Sequence, residues 1–204
     1  MTQALYRNNL PQLNGKLFLT DGGLETTLVF LDEFDLPLFA AFTLLKSPDG
    51  RAAIDRYMRK YCEIAVRDRK GFVLDTPTWR ASSRWASELR ISTDDLKAAH
   101  AQAICALKVL RAEYETPSSP FVINGVLGPQ DDGYNPETFM SSAQAQNYHA
   151  QQIGWFAELG ADMVSAITMT YVEEAVGVAM AAQAAGMPCV ISFTVETDGN
   201  LPSG

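Results

Sequence analysis

Five short apolar runs, at 17–20, 72–75, 121–126, 163–167 and 189–194, are separated by stretches in which apolar residues return at helical spacing. Strands that alternate with helices argue for a parallel sheet, because parallel neighbours cannot be joined by a tight turn and need a helical crossover. Helices are predicted at about 50–68, from Ser92 to about Tyr114, from Ser141 to near Gly160, and over 173–185. In the first of these, Ile54, Tyr57, Met58, Tyr61 and Ala65 share one face, and Gly71 is read as its end. Ser92-Thr93-Asp94-Asp95 and Ser141-Ser142-Ala143-Gln144 carry capping-box patterns. A long connection containing Leu36-Pro37-Leu38-Phe39 links strand one to the first helix.

Two parallel architectures fit this order. An open doubly wound sheet would explain five strands, but the first loop has neither the G-x-G-x-x-G spacing of a dinucleotide site nor a Walker pattern. A barrel would explain why nearly every strand end carries polar residues, since barrel sites gather at that face. No linker or low-complexity tract divides the chain, and Thr116-Pro117-Ser118-Ser119-Pro120 reads as a loop, so residues 1–204 are expected to form one domain.

Bulk properties narrow the partners. A net charge of −8 without any Lys/Arg cluster argues against nucleic acid and against an anionic membrane surface. Residues 1–15 lack the apolar core of a secretory signal, and the longest apolar patch, 36–45, is about half of a membrane span. Cys62, Cys105 and Cys189 are odd in number and widely spaced, which fits reduced thiols in the cytoplasm.

Four strand-end clusters could carry chemistry. They are Asp21-Gly22-Gly23-Leu24-Glu25, Asp75-Thr76-Pro77-Thr78-Trp79-Arg80, the loop from Gly128-Pro129 to Asn135-Pro136, and Thr194-Val195-Glu196-Thr197-Asp198-Gly199. Asp21 reads either as a turn or capping residue beside two glycines or as the acceptor for a cationic group such as an ammonium. The glycines permit a sharp turn or a close approach of backbone to a ligand. Asp75 and Glu196 read as rim salt bridges or pocket carboxylates, and Trp79 as the cover of a core edge or the apolar wall of a pocket. Asp131 and Asp132 read as solvated turn residues. His100 and His149 lie on helices without a metal-ligand spacing, so structural or surface roles are expected for both.

Taken together, the segments Leu19 to Leu28, Phe72 to Ser82, Gly128 to Pro136, Ala161 to Ala175 and Gly186 to Gly204 resemble the homocysteine S-methyltransferase family. The resemblance implies a (β/α)8 TIM-barrel type α/β fold, here truncated to the first five βα units. It implies transfer of a methyl group, from a donor such as S-methylmethionine, a betaine or a folate, to the thiol of homocysteine, a step of methionine biosynthesis. Zinc is the cofactor expected of the family, but its ligand cysteines come from later strands and are absent from this chain, so no metal ligand is assigned. No catalytic residue is assigned either. The substrate-binding set is Asp21, Gly22, Gly23, Glu25, Thr76, Trp79 and Glu196, with Asp21 holding the substrate's amino group. Many members carry a Glu at the end of strand four, where this chain has Ile167.

The partners implied are a homocysteine-like thiol and a methyl donor, with a possible homo-oligomer through exposed barrel edges. The competing reading is a truncated, non-catalytic fragment of such a barrel without a zinc site. A third reading, lyase or aldolase chemistry on the same rim, predicts an activating Lys or a carboxylate-bound Mg2+, and the strands carry no internal Lys beyond the edge residue Lys16.

Overall fold

The computed structural model describes residues 4–204; the first three residues of the N-terminal segment read above lie outside them. Five strands, β1 (Phe18–Leu19), β2 (Gly71–Asp75), β3 (Phe121–Leu127), β4 (Met163–Met169) and β5 (Cys189–Phe193), form one sheet in the order β1-β2-β3-β4-β5. Every pairing is parallel. A doubly wound sheet reverses its strand order at a switch point. This sheet never reverses, so its sequential order is that of a barrel wall, and five strands of the barrel are present, the first four each followed by a helical crossover.

The helices are α1 (Leu24–Phe30), α2 (Pro48–Arg67), α3 (Ser83–Glu88), α4 (Thr93–Tyr114), α5 (Ser142–Leu159) and α6 (Val172–Ala184). Their starts follow local chemistry. Ser47 accepts from the amide of Gly50 at 3.0 Å, with Pro48 pre-setting the first turn of α2. Ser92 accepts from Asp95 N at 3.1 Å. Ser141 and Gln144 make the reciprocal box, Gln144 Oε1 accepting from Ser141 N at 2.9 Å. Such caps are worth ~1 kcal/mol each.

The sequence reading needs four corrections. Strand one is two residues long, so Leu17 and Thr20 flank it. Gly71 does not close α2: it opens β2, where an added Cβ would fall 2.3 Å from the Phe18 ring. The long connection after strand one holds α1, and α3 precedes α4; both are too short for a periodic signal. β4 runs on to Met169 through an irregularity between Ala166 and Met169.

Alternation along the strands divides the residues between two environments. Phe72, Leu74, Phe121 and Ile123 are fully buried toward the helices, where Phe72 stacks on Tyr61 of α2 and Gly125 lies against the Phe156 ring of α5. The intervening residues face the barrel interior. At its lower end Val122 and Met163 are covered by Leu10 of the N-terminal strap, with Tyr6 packed alongside. The strap is tied down by Tyr6 N donating to Asp162 Oδ1 at 2.8 Å and by Arg7 bonding to the carbonyls of Ala157 and Ala161. Along β5, Val190 and Phe193 are exposed. Among the described residues, no helix is long and apolar enough to cross a membrane.

Candidate functional site

The carboxyl ends of β1 to β4 converge on a cavity of about 510 Å³. β1 leads into Asp21, Gly22 and Gly23, and Gly23 caps α1 at a φ of 72°, a left-handed conformation that favours glycine. At Gly22 a Cβ would meet nothing within 4 Å, so its backbone borders open space. Asp21 Oδ2 accepts from the Tyr57 hydroxyl of α2 at 2.8 Å, and Tyr61 Oη donates to the Gly22 carbonyl at 3.1 Å. Two tyrosines on one helix face therefore hold the loop.

The end of β2 supplies Asp75, Thr76, Trp79 and Arg80. Thr76 is buried; its Oγ1 lies 2.6 Å from Thr78 Oγ1 and accepts from Val126 N at 2.9 Å. The Trp79 indole donates to Thr168 Oγ1 at 3.0 Å, and the loop glycines 128 and 133 pack against its ring. Thr168 has a φ of 58° at the irregularity of β4, an outlier for a β-branched residue and a form of strain that gathers at functional sites. Phe39 and Tyr134 complete an aromatic flank, with Ile167 on the strand-four side.

Three carboxylates line this space, and each has its pKa raised. Burial raises that of Asp21, opposed by the Tyr57 hydrogen bond. Burial also raises that of Glu25, with Asp21 adding to the rise and Arg80 opposing it. Asp75 is pushed up to about 7 by burial and by the nearby Asp21, while the bond from Asn124 Nδ2 at 2.7 Å works the other way. A low-dielectric site with several carboxylates is costly when empty of cations and favourable toward an ammonium.

Six of the seven residues read from the sequence, Asp21, Gly22, Gly23, Glu25, Thr76 and Trp79, lie together on this cavity, whereas Glu196 is exposed on the loop after β5 and outside the lining. The rim salt bridge considered for Asp75 is not what forms, since its side-chain partner is the neutral Asn124. Asp131 is not a solvated turn residue. It is buried, pairs with Arg84 at 3.1 Å and accepts from the amides of Glu137 and Thr138, pinning the loop after β3. Both histidines are structural: His100 packs edge-on to Trp155 and Phe156, and His149 Nε2 lies 2.9 Å from Glu174 Oε1 in a buried α5–α6 contact. Sequence reasoning missed Arg80, Tyr57, Phe39 and Tyr134 as site residues. Tyr57 gave a helix-face signal that reads as core, and Arg80 sat inside a recognised motif.

Among the described residues, no group of three or more His, Cys, Asp and Glu side chains could hold a metal ion. The three cysteines lie outside the cavity. Burial pushes the Cys62 thiol up to about 12 and the Cys189 thiol up to about 11, while Cys105 is exposed on α4. A cysteine ligates zinc as its thiolate, which burial disfavours at Cys62 and Cys189, and Cys105 lies apart from the cavity, so these residues do not fit the zinc that the resemblance implies.

A family model described as homocysteine S-methyltransferase matches residues 18–204. No curated protein sequence matches the chain significantly. Among solved structures, the fold is similar to the metallated form of the homocysteine methyltransferase MmuM from Escherichia coli, with a TM-score of 0.75 at 17 % identity over 97 % of this chain and 70 % of that one. The oxidized form of the same protein gives a TM-score of 0.73 at 17 % identity, covering 96 % of this chain and 68 % of the other.

Proposed function

The chain belongs to the homocysteine S-methyltransferase family, and we propose that its rim cavity binds the amino-acid end of homocysteine, or of a similar thiol, for methyl transfer to sulfur. The observation that carries this reading is Asp21, a carboxylate raised in pKa by burial, fixed by Tyr57 at 2.8 Å and set beside the open backbone of Gly22. An ammonium placed there repays the desolvation of the carboxylate. Glu25 and Asp75 deepen the negative potential, and Thr76 and Trp79 shape the wall.

In the transfer, the thiolate sulfur forms a bond to the methyl carbon as the donor heteroatom releases it, and the thiol proton goes to solvent. The residues named here bind and orient the amino acid; thiolate formation is not assigned to them. The aromatic flank of Trp79, Phe39 and Tyr134 suits an onium methyl donor through cation–π attraction.

Calorimetric titration with L-homocysteine and with 4-mercaptobutanoate, which lacks the ammonium, tests the reading. The wild-type chain should prefer the amino acid by roughly tenfold or more, and Asp21→Asn should erase that preference. Equal affinities in the wild type would sink it. The position of all three cysteines outside the cavity favours a second reading, a chain that binds without transferring. Binding with no methionine formed from homocysteine, zinc and S-methylmethionine would select it.

A further inference from the structure

Among the described residues, Arg80 is the only Lys, Arg or His that lines the cavity. Its side chain is only 10 % exposed. The guanidinium is stacked between two indoles, with Cζ 4.5 Å from the Trp79 ring centre and 3.8 Å from that of Trp85. Its Nη2 donates to Asp132 Oδ2 at 3.0 Å. Asp132 is held in turn by the amides of Tyr134 and Asn135 at 2.9 and 3.1 Å. The Arg80 Nε is buried and has no hydrogen-bond partner.

This arrangement is more than a structural ion pair requires. A guanidinium carries five N–H donors in a rigid plane, and a buried one normally has them matched. Here the two rings fix the plane, Asp132 takes Nη2, the Nε is enclosed by protein, and Nη1 is the donor left to a group that belongs to the cavity wall. Stacking removes the rotamer freedom that binding would otherwise have to freeze, so the remaining donor is preorganised for an oxyanion. Its charge opposes the raised pKa of Glu25, which lines the same cavity.

We propose that Arg80 is a specificity-determining residue that pairs with the carboxylate of the amino-acid ligand whose ammonium sits at Asp21. This inference rests on the amino-acid reading above. A ligand carrying both charges meets the cationic and the anionic parts of one wall, whereas an amine without a carboxylate leaves the Arg80 donors unmatched.

Calorimetric titration of the whole chain with L-homocysteine and its methyl ester, and with L-methionine and its methyl ester, decides the matter. The wild type should prefer each free acid over its ester by roughly tenfold or more. Arg80→Gln should bring acid and ester within about threefold, and Arg80→Lys should keep part of the preference, because a point charge replaces the planar fork. Near-ultraviolet circular dichroism of the tryptophans checks that each variant is folded. If Arg80→Gln does not fold, the wild-type comparison and Arg80→Lys still decide, since a wild type indifferent to esterification overturns the proposal. An acid preference that survives undiminished in Arg80→Gln, while Asp21→Asn abolishes the ammonium preference, overturns the role of Arg80 and leaves the amino-acid reading standing. Arg80-dependent binding of 4-(methylthio)butanoate with no preference for the amino acids supports the anion site and removes the amino-acid reading.

Discussion

Asp162 and Asp75 are both carboxylates of the sheet, one just before β4 at the lower end and one closing β2 at the rim, and they are treated in opposite ways. Asp162 is fully buried and accepts from Arg111 Nη1 at 2.7 Å, Ile123 N at 2.8 Å and Tyr6 N at 2.8 Å. Asp75 has one neutral donor, Asn124 at 2.7 Å, and a like charge nearby in Asp21. The lower carboxylate has its charge and lone pairs matched by the protein; the upper one has capacity left for something the protein does not supply. That division between a stability face and a chemistry face is the one expected of a barrel.

The contrast can be broken most sharply at Asp162. Asp162→Ala leaves the nearly buried Arg111 without its partner, and the expected loss is about 3–5 kcal/mol of stability. Denaturant unfolding would measure it, and a loss below about 1 kcal/mol would mean that neither the ion pair nor the strap contact at Asp162 stabilises this end. At the rim the effect is smaller and depends on pH. Because the folded Asp75 has a pKa raised from 3.8 to about 7, its contribution to stability is complete below pH 3.8 and is lost as pH rises through about 7. The melting temperature of the wild type should therefore fall over that window, and Asp75→Asn should flatten part of the fall; parallel pH curves for the two proteins would contradict the assignment.

The smallest effect is expected at Thr168. Thr168→Gly relieves a left-handed residue whose strain is about 1–3 kcal/mol but removes the oxygen that receives the Trp79 indole. Thermal stability should hold or rise while affinity for the amino acid drops several-fold, and a simultaneous fall of both would show that the indole contact is part of the scaffold.

Much of this was legible in the chain itself. The alternation of apolar runs with amphipathic stretches gives the parallel βα order, and Ser92 and Ser141 mark helix starts, because caps and periodicity are local. The motif Asp21-Gly22-Gly23 was readable as a rim loop for the same reason. Tyr57 was not, because on a helix whose apolar face is buried a tyrosine looks like core until the strand end that receives its hydroxyl is placed. Arg80 and Asp131 were hidden by distance: their partners Asp132 and Arg84 lie about fifty residues away in sequence. The strained Thr168 leaves no trace in composition, since its conformation follows from an irregular register that tertiary pairing imposes.

The strap that covers the lower end of the barrel has a consequence for the order of folding. The amide of Tyr6 meets Asp162 across a sequence separation of 156 residues, so the strap, synthesised well before β4, can be docked only after β4 has emerged. Contacts of such long range carry the largest loop-closure cost and form late. In refolding followed by pulsed hydrogen exchange, the Tyr6 amide should gain protection well after the amides of β2 and β3, and the strap would act as the latch that registers the docking of β4 on β3.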